Sequence, residues 1–89
     1  MNPEWPIDVI KSECLSDMKY QQLKRRGIHT LGQLCDMTRL ELSTIPTFGI
    51  YAIDRIDYTL KLKGLPGLRG APLRKASTRK DGHHYVEIT

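Results

Sequence analysis

Apolar residues three or four positions apart mark one face of a predicted helix in the second half of the chain: Ile50, Ile53, Ile56 and Leu60. The pattern predicts a helix over residues 50–63, which Gly64 is expected to end. Pro46 ends whatever helix comes before it, because proline lacks an N–H and disfavours helical geometry in the preceding residue. Gly49 allows a positive φ and close approach of a partner. Residues 45–56 therefore predict a helix-hairpin-helix.

Shorter helices are predicted upstream of this hairpin. Ser16 can cap a helix over residues 17–26, whose basic end suits the helix dipole and which Gly27 can terminate in left-handed geometry. Two further short helices begin with the capping-box pattern, in which a threonine is followed three residues later by a glutamine or glutamate. These pairs are Thr30 with Gln33, and Thr38 with Glu41.

Four helices within about fifty residues leave no room for a sheet between them. The predicted fold class is all-α: a compact bundle of four short helices containing the helix-hairpin-helix. Residues 1–14 are expected to form an irregular arm that packs on the domain, with room for one helical turn. Residues 15–68 form the helical domain, and residues 69–89 a basic, flexible tail. Residues 83–89 alternate apolar and polar side chains and could form a strand beside a partner edge.

A chain of 89 residues makes one small domain with little space for a deep catalytic cleft. Its net charge of +4 is unevenly distributed. One basic cluster lies on the first predicted helix and a second in the tail. Such clusters are the electrostatic footprint of a polyanion partner, although a solvated helix face and a soluble tail would have the same composition. The clusters are Lys19, Lys24, Arg25 and Arg26, and then Arg69, Arg74, Lys75, Arg79 and Lys80.

The residue inventory argues against an enzyme, a cofactor or a metal site. The two cysteines lack CxxC spacing, and no pair of possible ligands has zinc-type spacing apart from two adjacent histidines in the tail. We expect Cys14 and Cys35 to be small core residues. We expect His29 to lie in a turn, and Asp54 and Asp57 to lie on a solvated face. Trp5 and Tyr20 are expected to serve in packing, and the adjacent histidines of the tail are His83 and His84.

Cysteine usage and hydropathy also bound the location. Two thiols without a secretory leader predict a reduced, cytoplasmic protein. No apolar run approaches the length of a membrane span, so no membrane partner is expected.

The chemistry of the predicted hairpin lies in its backbone. The first N–H groups of a helix have no partner within it, and the helix dipole adds partial positive charge there. A phosphate fits such a site without a special side chain. The hairpin therefore favours nucleic-acid backbone binding, although many such hairpins are only helical connectors.

The residues from Leu15 to Pro66 resemble the C-terminal domain of the bacterial RNA polymerase alpha subunit, without gaps. The resemblance rests on turn glycines, caps and core positions that fall in place together. They are Leu15-Ser16, Tyr20, the run Leu23 to Leu34, Thr38, Glu41-Leu42, Ile45-Pro46, Phe48-Gly49, Ala52-Ile53, Ile56, Leu60 and Lys63-Gly64-Leu65.

The resemblance implies four short helices after an irregular segment, docked on the DNA minor groove and open to activator proteins. Because the chain begins with Met and lacks the polymerase-assembly domain of the family, we expect a free-standing relative. The departures fall on the positions that contact DNA in the family. Met18 replaces the principal minor-groove arginine and Gln21 an asparagine, while Tyr51 and Ala52 replace a lysine and a serine. Arg55 replaces an acidic residue.

Two functional hypotheses remain. In the first, the chain is a transcription-related module that binds double-stranded DNA in a salt-dependent way. Its predicted DNA-binding residues are Lys19, Gln21, Lys24, Arg25, Arg26, Phe48, Gly49, Ile50, Tyr51 and Arg55. In the alternative, the chain binds RNA polymerase or a transcription regulator and has lost the DNA contacts of the family. The contact residues are then Met18, Ile50 and Tyr51.

Overall fold

The computed structural model describes residues 2–71, 73–75 and 85–87. Most of the described chain is helical, which confirms the predicted all-α class. The helical elements are a 3₁₀ helix Ile7–Ile10, then α1 Lys11–Cys14, α2 Asp17–Arg25, α3 Leu31–Cys35, α4 Arg39–Ser43 and α5 Ile50–Leu62. Two short strands follow, β1 Leu73–Lys75 and β2 Tyr85–Glu87.

The predicted helix boundaries are confirmed to within a residue. The Ser16 side chain accepts a hydrogen bond from the Lys19 amide at the start of α2. The capping boxes at the starts of α3 and α4 are both complete, with each threonine accepting from the backbone and each N3 side chain accepting in return. Gly27 and Gly64 follow α2 and α5 with φ of 79° and 82°, the left-handed geometry expected of helix-ending glycines.

The expectation of a positive φ at Gly49 is wrong. Its φ and ψ are −79° and 175°, an extended conformation that any residue can adopt. The backbone angles at position 49 therefore do not require a glycine. What the glycine contributes is the absence of both a Cβ and a capping side chain at the first position before α5.

The N-terminal residues are more helical than predicted. Residues 7–14 form one 3₁₀ turn followed by α1, and both Ile7 and Ile10 are fully buried. The reason is tertiary. The Ile7 amide donates to the His29 carbonyl at 3.0 Å, and the Leu31 amide donates to the Trp5 carbonyl at 2.9 Å. The segment is thus held against the turn between α2 and α3, where its apolar residues are buried.

One hydrophobic core has buried members in every helical element except α1, which packs against it through the partly buried Cys14. Its fully buried members include Leu23 of α2, Leu42 of α4 and Phe48 of the hairpin. The isoleucines at helical spacing on α5 pack on this core as predicted: Ile53 and Ile56 are fully buried, and Ile50 is partly buried against it. Helices α1 and α4 both pack on α5, which is the longest helix of the fold.

Asp57 holds the segment after α5 in place. Its carboxylate accepts from the Leu68 amide at 2.9 Å and pairs with Arg39 and Lys61, each at 3.0 Å. The side chain of Asp57 is only 13% exposed, so the predicted solvated face is wrong for this residue. Partial burial disfavours the ionised form, but the Leu68 amide, Lys61 and Arg39 outweigh it and lower the pKa of Asp57.

Gly67 is required beside this carboxylate. It has φ of 84°, and a Cβ built there would lie 2.5 Å from the Asp57 Oδ1 atom. The close approach leaves room for no other residue without moving the carboxylate.

The alternating residues near the C-terminus contribute a strand, as predicted for the case of an available partner edge. β1 and β2 pair antiparallel, with Leu73 opposite Glu87 and Lys75 opposite Tyr85. Leu73 is buried, and β1 lies along α5 while β2 lies along α4. The flexible tail stays a prediction for residues 72, 76–84 and 88–89, which lie outside the described residues, as do His83 and His84.

Candidate nucleic-acid interface

The predicted bend between two helices is confirmed. Helix α4 ends at Ser43 and α5 begins at Ile50, with Pro46 exposed at the turn between them. The Phe48 amide closes the turn by donating to the Ile45 carbonyl at 2.9 Å. The Phe48 ring is 1% exposed, so this residue anchors the turn in the core and offers a ligand neither its ring nor its amide.

At the start of α5, backbone amides have no hydrogen-bond acceptor among the residues that the structure describes. The first helical hydrogen bond comes from the Ile53 amide, which donates to the Gly49 carbonyl at 3.0 Å. No side chain caps this end. Within residues 2–71, 73–75 and 85–87, the structure gives no hydrogen-bond acceptor to the amides of residues 49–52. Since α5 has 13 residues, its dipole adds partial positive charge to these amides.

One side of α2 contacts this hairpin. The Thr47 hydroxyl donates to the Gln22 side-chain oxygen, and the Lys19 ammonium lies 5.9 Å from the centre of the Phe48 ring. Arg26 reaches the Thr44 hydroxyl at 3.5 Å. Residues 19, 22 and 26 are three and four positions apart and share one side of the helix. Three contacts thus hold the end of α4 and the hairpin turn against α2 and the residue that follows it.

Lys24 points the other way. It lies 3.8 Å from the Asp8 carboxylate and 5.3 Å from the centre of the Tyr20 ring. The Tyr20 hydroxyl donates to the same carboxylate at 2.8 Å. The predicted basic cluster on α2 therefore does not share one face, because Lys24 is turned toward the N-terminal segment and partly neutralised there.

The exposed side of α2 carries a continuous shallow surface toward the hairpin. Gln22 and Arg25 line two adjoining grooves. One groove extends to Met18 and Gln21, and the other to Arg26, Ile45 and Pro46. Arg25 is exposed, and it makes no ion pair with any residue that the structure describes.

The remaining candidate residues lie on the first two turns of α5 and, for Met18, at the start of α2. Tyr51 is 87% exposed and Met18 61%, whereas Ile50 is partly buried. Arg55 is exposed one turn beyond Tyr51, where its Nε donates to the Glu13 carbonyl at 2.9 Å. Arg55 is thus tied to α1 rather than to the hairpin.

Sequence reasoning missed the Gln22–Thr47 link. Thr47 follows Pro46 in a turn, and its polarity alone is explained by exposure to solvent. The two residues are separated by 25 positions, so no local spacing pairs them.

The cysteines are placed as small packing residues. Cys35 is buried and Cys14 is partly buried, and burial raises the pKa of both thiols. Among the described residues, no group of three or more His, Cys, Asp or Glu side chains could hold a metal ion. None of the helices that the structure describes has both the length and the apolar character needed to span a bilayer.

Two bacterial proteins are similar to this chain over most of its length. The DNA-directed RNA polymerase subunit alpha of Bifidobacterium longum is 35% identical over 81 residues, which is 91% of this chain and 24% of that protein. The subunit of the same name from Bifidobacterium adolescentis is 40% identical over 72 residues, or 81% of this chain and 21% of that protein.

The match is partial on the side of the relatives. The chain spans about a quarter of the length of these subunits. No protein-family model matches the chain, and no solved structure matches it. The resemblance found in the sequence is nevertheless confirmed, and the chain is an alpha C-terminal-domain-like relative of the bacterial RNA polymerase alpha subunit.

Proposed function

We propose that this chain is a transcription-related module that binds the sugar-phosphate backbone of double-stranded DNA at the start of α5. The observation that carries the proposal is the set of four backbone amides at residues 49–52 without acceptors among the described residues. Helix starts of this kind accept phosphate oxygens directly. The similarity to RNA polymerase alpha subunits supports a role in transcription.

The cations beside the hairpin set where a second phosphate would lie. Lys19 and Arg26 flank the Gln22–Thr47 link, and Arg25 is exposed on the adjoining groove. Together with the amides, they make a positive strip across α2 and the hairpin. Such a strip holds consecutive phosphates and releases their counterions.

The proposed binding depends on the backbone more than on base sequence. A minor-groove arginine acts by placing a long cation in a narrow, strongly negative groove. Met18 stands at that position and carries no charge. We therefore expect weak sequence preference and a steep dependence on salt.

The direct test is amide chemical-shift mapping by NMR on the nuclease-treated chain, titrated with a short DNA duplex in low salt. The amides of residues 49–52 should shift most, together with those around Lys19 and Arg25. Fluorescence anisotropy in parallel should show log affinity falling linearly with log salt. Shifts confined to the tail, with the hairpin amides unmoved, would contradict the proposal.

A second candidate function is favoured by the exposure of apolar side chains around the same hairpin. Met18 and Tyr51 are largely exposed where the family has polar DNA contacts, and such side chains are typical of protein interfaces. With Ile50 they would contact RNA polymerase or a transcription regulator. Capture of polymerase from nuclease-treated lysate that survives high salt, and is lost in both Met18→Ala and Tyr51→Ala, would favour this function over DNA binding.

A further inference from the structure

Helix α5 exposes a stripe of aromatic and basic side chains that begins beside the uncapped amides and runs along the outside of the helix. The α5 stripe consists of Tyr51, Arg55, Tyr58 and Leu62, all of which are exposed. At about 100° per residue, these four side chains lie within about 60° of one another around the helix. Tyr51 and Tyr58 are 87% and 63% exposed, so each ring has a face open to a ligand.

Arg55 lies between the two tyrosines and is only partly engaged. Its Nε atom donates to the Glu13 carbonyl at 2.9 Å. Within residues 2–71, 73–75 and 85–87, the structure gives no acceptor to its two terminal nitrogens. A guanidinium binds phosphate oxygens and also stacks on flat rings. The order tyrosine, arginine, tyrosine therefore offers two rings to bases and one cation to the phosphates between them.

A groove beside the second tyrosine extends this surface toward α1. It has a volume of about 290 Å³, and Tyr58 and Leu62 are its apolar lining. This volume is at the low end for ligand sites, so the groove suits one flat ring rather than a helix of another protein. Glu13 and Lys63 also line the groove and form an ion pair at 2.7 Å. The charge of the carboxylate is therefore compensated beside the groove.

We propose that the α5 stripe binds unpaired nucleotides of a DNA strand whose phosphate is held at the start of α5, with bases stacked on Tyr51 and Tyr58. The proposal rests on the proposed function, because it extends the same site along the helix. Tyr51 is the second residue of α5 and lies between two of the open amides. Tyr58 lies about 10 Å further along the helix axis, or about three base-stacking steps of 3.4 Å. Neighbouring nucleotides of one strand can therefore reach both rings.

The rings of the α5 stripe select unpaired bases over paired ones. In a duplex, the faces of the bases are stacked on one another, and a side chain that approaches from outside meets only the backbone and the base edges. In a single strand, each base has a free face, and its stacking on an aromatic ring depends little on base identity. The preferred DNA is thus a duplex that opens into a single strand next to the hairpin.

The charges around the α5 stripe favour nucleic acid as its occupant. Three cations surround the stripe, Arg55, Lys61 and Lys63, against two exposed acids, Asp54 and Glu13. This excess is small, but the Tyr51 end of the stripe adjoins the positive strip across α2 and the hairpin. A strand that leaves the strip therefore continues along a surface of the same sign, which is the pattern of single-strand binding sites.

The test is fluorescence anisotropy of three labelled DNA probes with the nuclease-treated full chain at one low salt concentration. The probes are a blunt duplex, the same duplex with an overhang of about six thymidines, and that duplex with an overhang of equally many abasic nucleotides. The two overhangs carry the same phosphates, so their difference isolates the bases. The thymidine overhang should bind at least about fivefold more tightly than the abasic one.

Variants locate the effect on the rings. Tyr58→Ala should reduce the preference for thymidine over abasic overhang at least about threefold, whereas Tyr58→Phe keeps the ring and should retain it. Val9→Ala, which alters an exposed apolar residue of the 3₁₀ helix, should leave the preference unchanged. Circular dichroism of each variant establishes that the fold persists. In NMR spectra of the wild type, the ring protons of Tyr51 and Tyr58 should move upfield with the thymidine overhang and not with the abasic one.

The outcomes separate this proposal from the proposed function. Equal binding of the two overhangs, with the blunt duplex also bound, overturns the stacking proposal and leaves duplex binding intact. Absence of binding by all three probes overturns both. Ring protons that stay unmoved by the thymidine overhang but shift with purified RNA polymerase assign the α5 stripe to a protein and overturn the proposal. So does a thymidine preference that Tyr58→Phe loses as fully as Tyr58→Ala.

Discussion

The starts of α4 and α5 show two different ways of treating the same backbone donors. At α4, the Thr38 hydroxyl accepts from the Glu41 amide at 3.0 Å, and the Glu41 carboxylate accepts from the Thr38 amide at 2.9 Å. At α5, Gly49 stands in the cap position and offers no side chain. The helix with its own cap is five residues long, and the helix without one has 13.

The comparison shows that the fold supplies acceptors for the first backbone amides of α4 but not for those of α5. A short helix gains little from propagation and needs its cap to persist. Helix α5 is held by its buried apolar face instead and can leave its first amides without acceptors. A side-chain acceptor is also supplied in the middle of α5, where the Asp57 carboxylate accepts a hydrogen bond from the Leu68 amide of the following segment.

The largest effect on stability is expected when the acceptor of a hydrogen-bonded backbone amide is removed. Asp57→Ala leaves the Leu68 amide without its acceptor and the Arg39 guanidinium without its ion-pair partner. We therefore expect a loss of about 2–3 kcal/mol in the free energy of unfolding. Urea denaturation followed by circular dichroism measures this. Asp54→Ala, which removes an exposed carboxylate three residues away, should change stability by less than about 0.5 kcal/mol. Equal losses in the two variants would show that the carboxylate contacts do not stabilise the fold.

The same carboxylate predicts a pH dependence of stability. Because the pKa of Asp57 is lowered from its ordinary value of 3.8, its contribution is present above that value. The contribution is lost as the pH falls through the lower pKa of the folded state. The difference in unfolding free energy between wild type and Asp57→Asn should therefore be constant above about pH 5 and shrink below pH 4. A constant difference down to pH 2 would contradict it.

Supplying the missing cap should separate stability from binding. Gly49→Asp can cap α5, since the backbone there is already extended, and should keep or raise stability by up to about 1 kcal/mol. The same carboxylate occupies the amides and repels phosphate, so duplex affinity should fall at least about tenfold. Thr38→Asp adds an equal charge to a helix start that is already capped and should weaken binding far less. Equal losses would assign the effect to net charge.

Removing an existing cap should cost an intermediate amount. Thr38→Ala breaks the capping box of α4 and should lower the free energy of unfolding by about 1 kcal/mol. Thr38→Ser keeps the hydroxyl and should cost less than half of that. Chemical denaturation of the three chains compares them. An alanine variant as stable as wild type would show that α4 is held by Leu42 in the core rather than by its cap.

The smallest effect distinguishes the two sides of α2. Arg25→Ala should lower duplex affinity about threefold and reduce the salt slope by up to about one unit. Lys24→Ala should change affinity less than twofold, because that ammonium faces Asp8 and Tyr20. Anisotropy titrations at several salt concentrations measure both. A larger loss for Lys24 would place the DNA on the other side of α2.

Local sequence signals predicted the helical elements well where the cause was local. The Thr30–Gln33 and Thr38–Glu41 pairs lie within one helical turn, so their capping boxes follow from the sequence alone. Long-range contacts were out of reach. The burial of Asp57 depends on Arg39, which is 18 residues away, and on the course of the chain after Gly64.

The features of the candidate site likewise divide into those set by local sequence and those set by long-range contacts. By itself, the sequence determined that a bend precedes a long amphipathic helix, that α2 carries positive charge, and that the start of α5 has no capping side chain. Only the tertiary structure decided that Lys24 turns toward Asp8, that Phe48 is buried with its amide occupied, and that Thr47 meets Gln22. The physical reason is that caps and helix periodicity act within four residues, whereas burial and side-chain partners depend on which segments pack together.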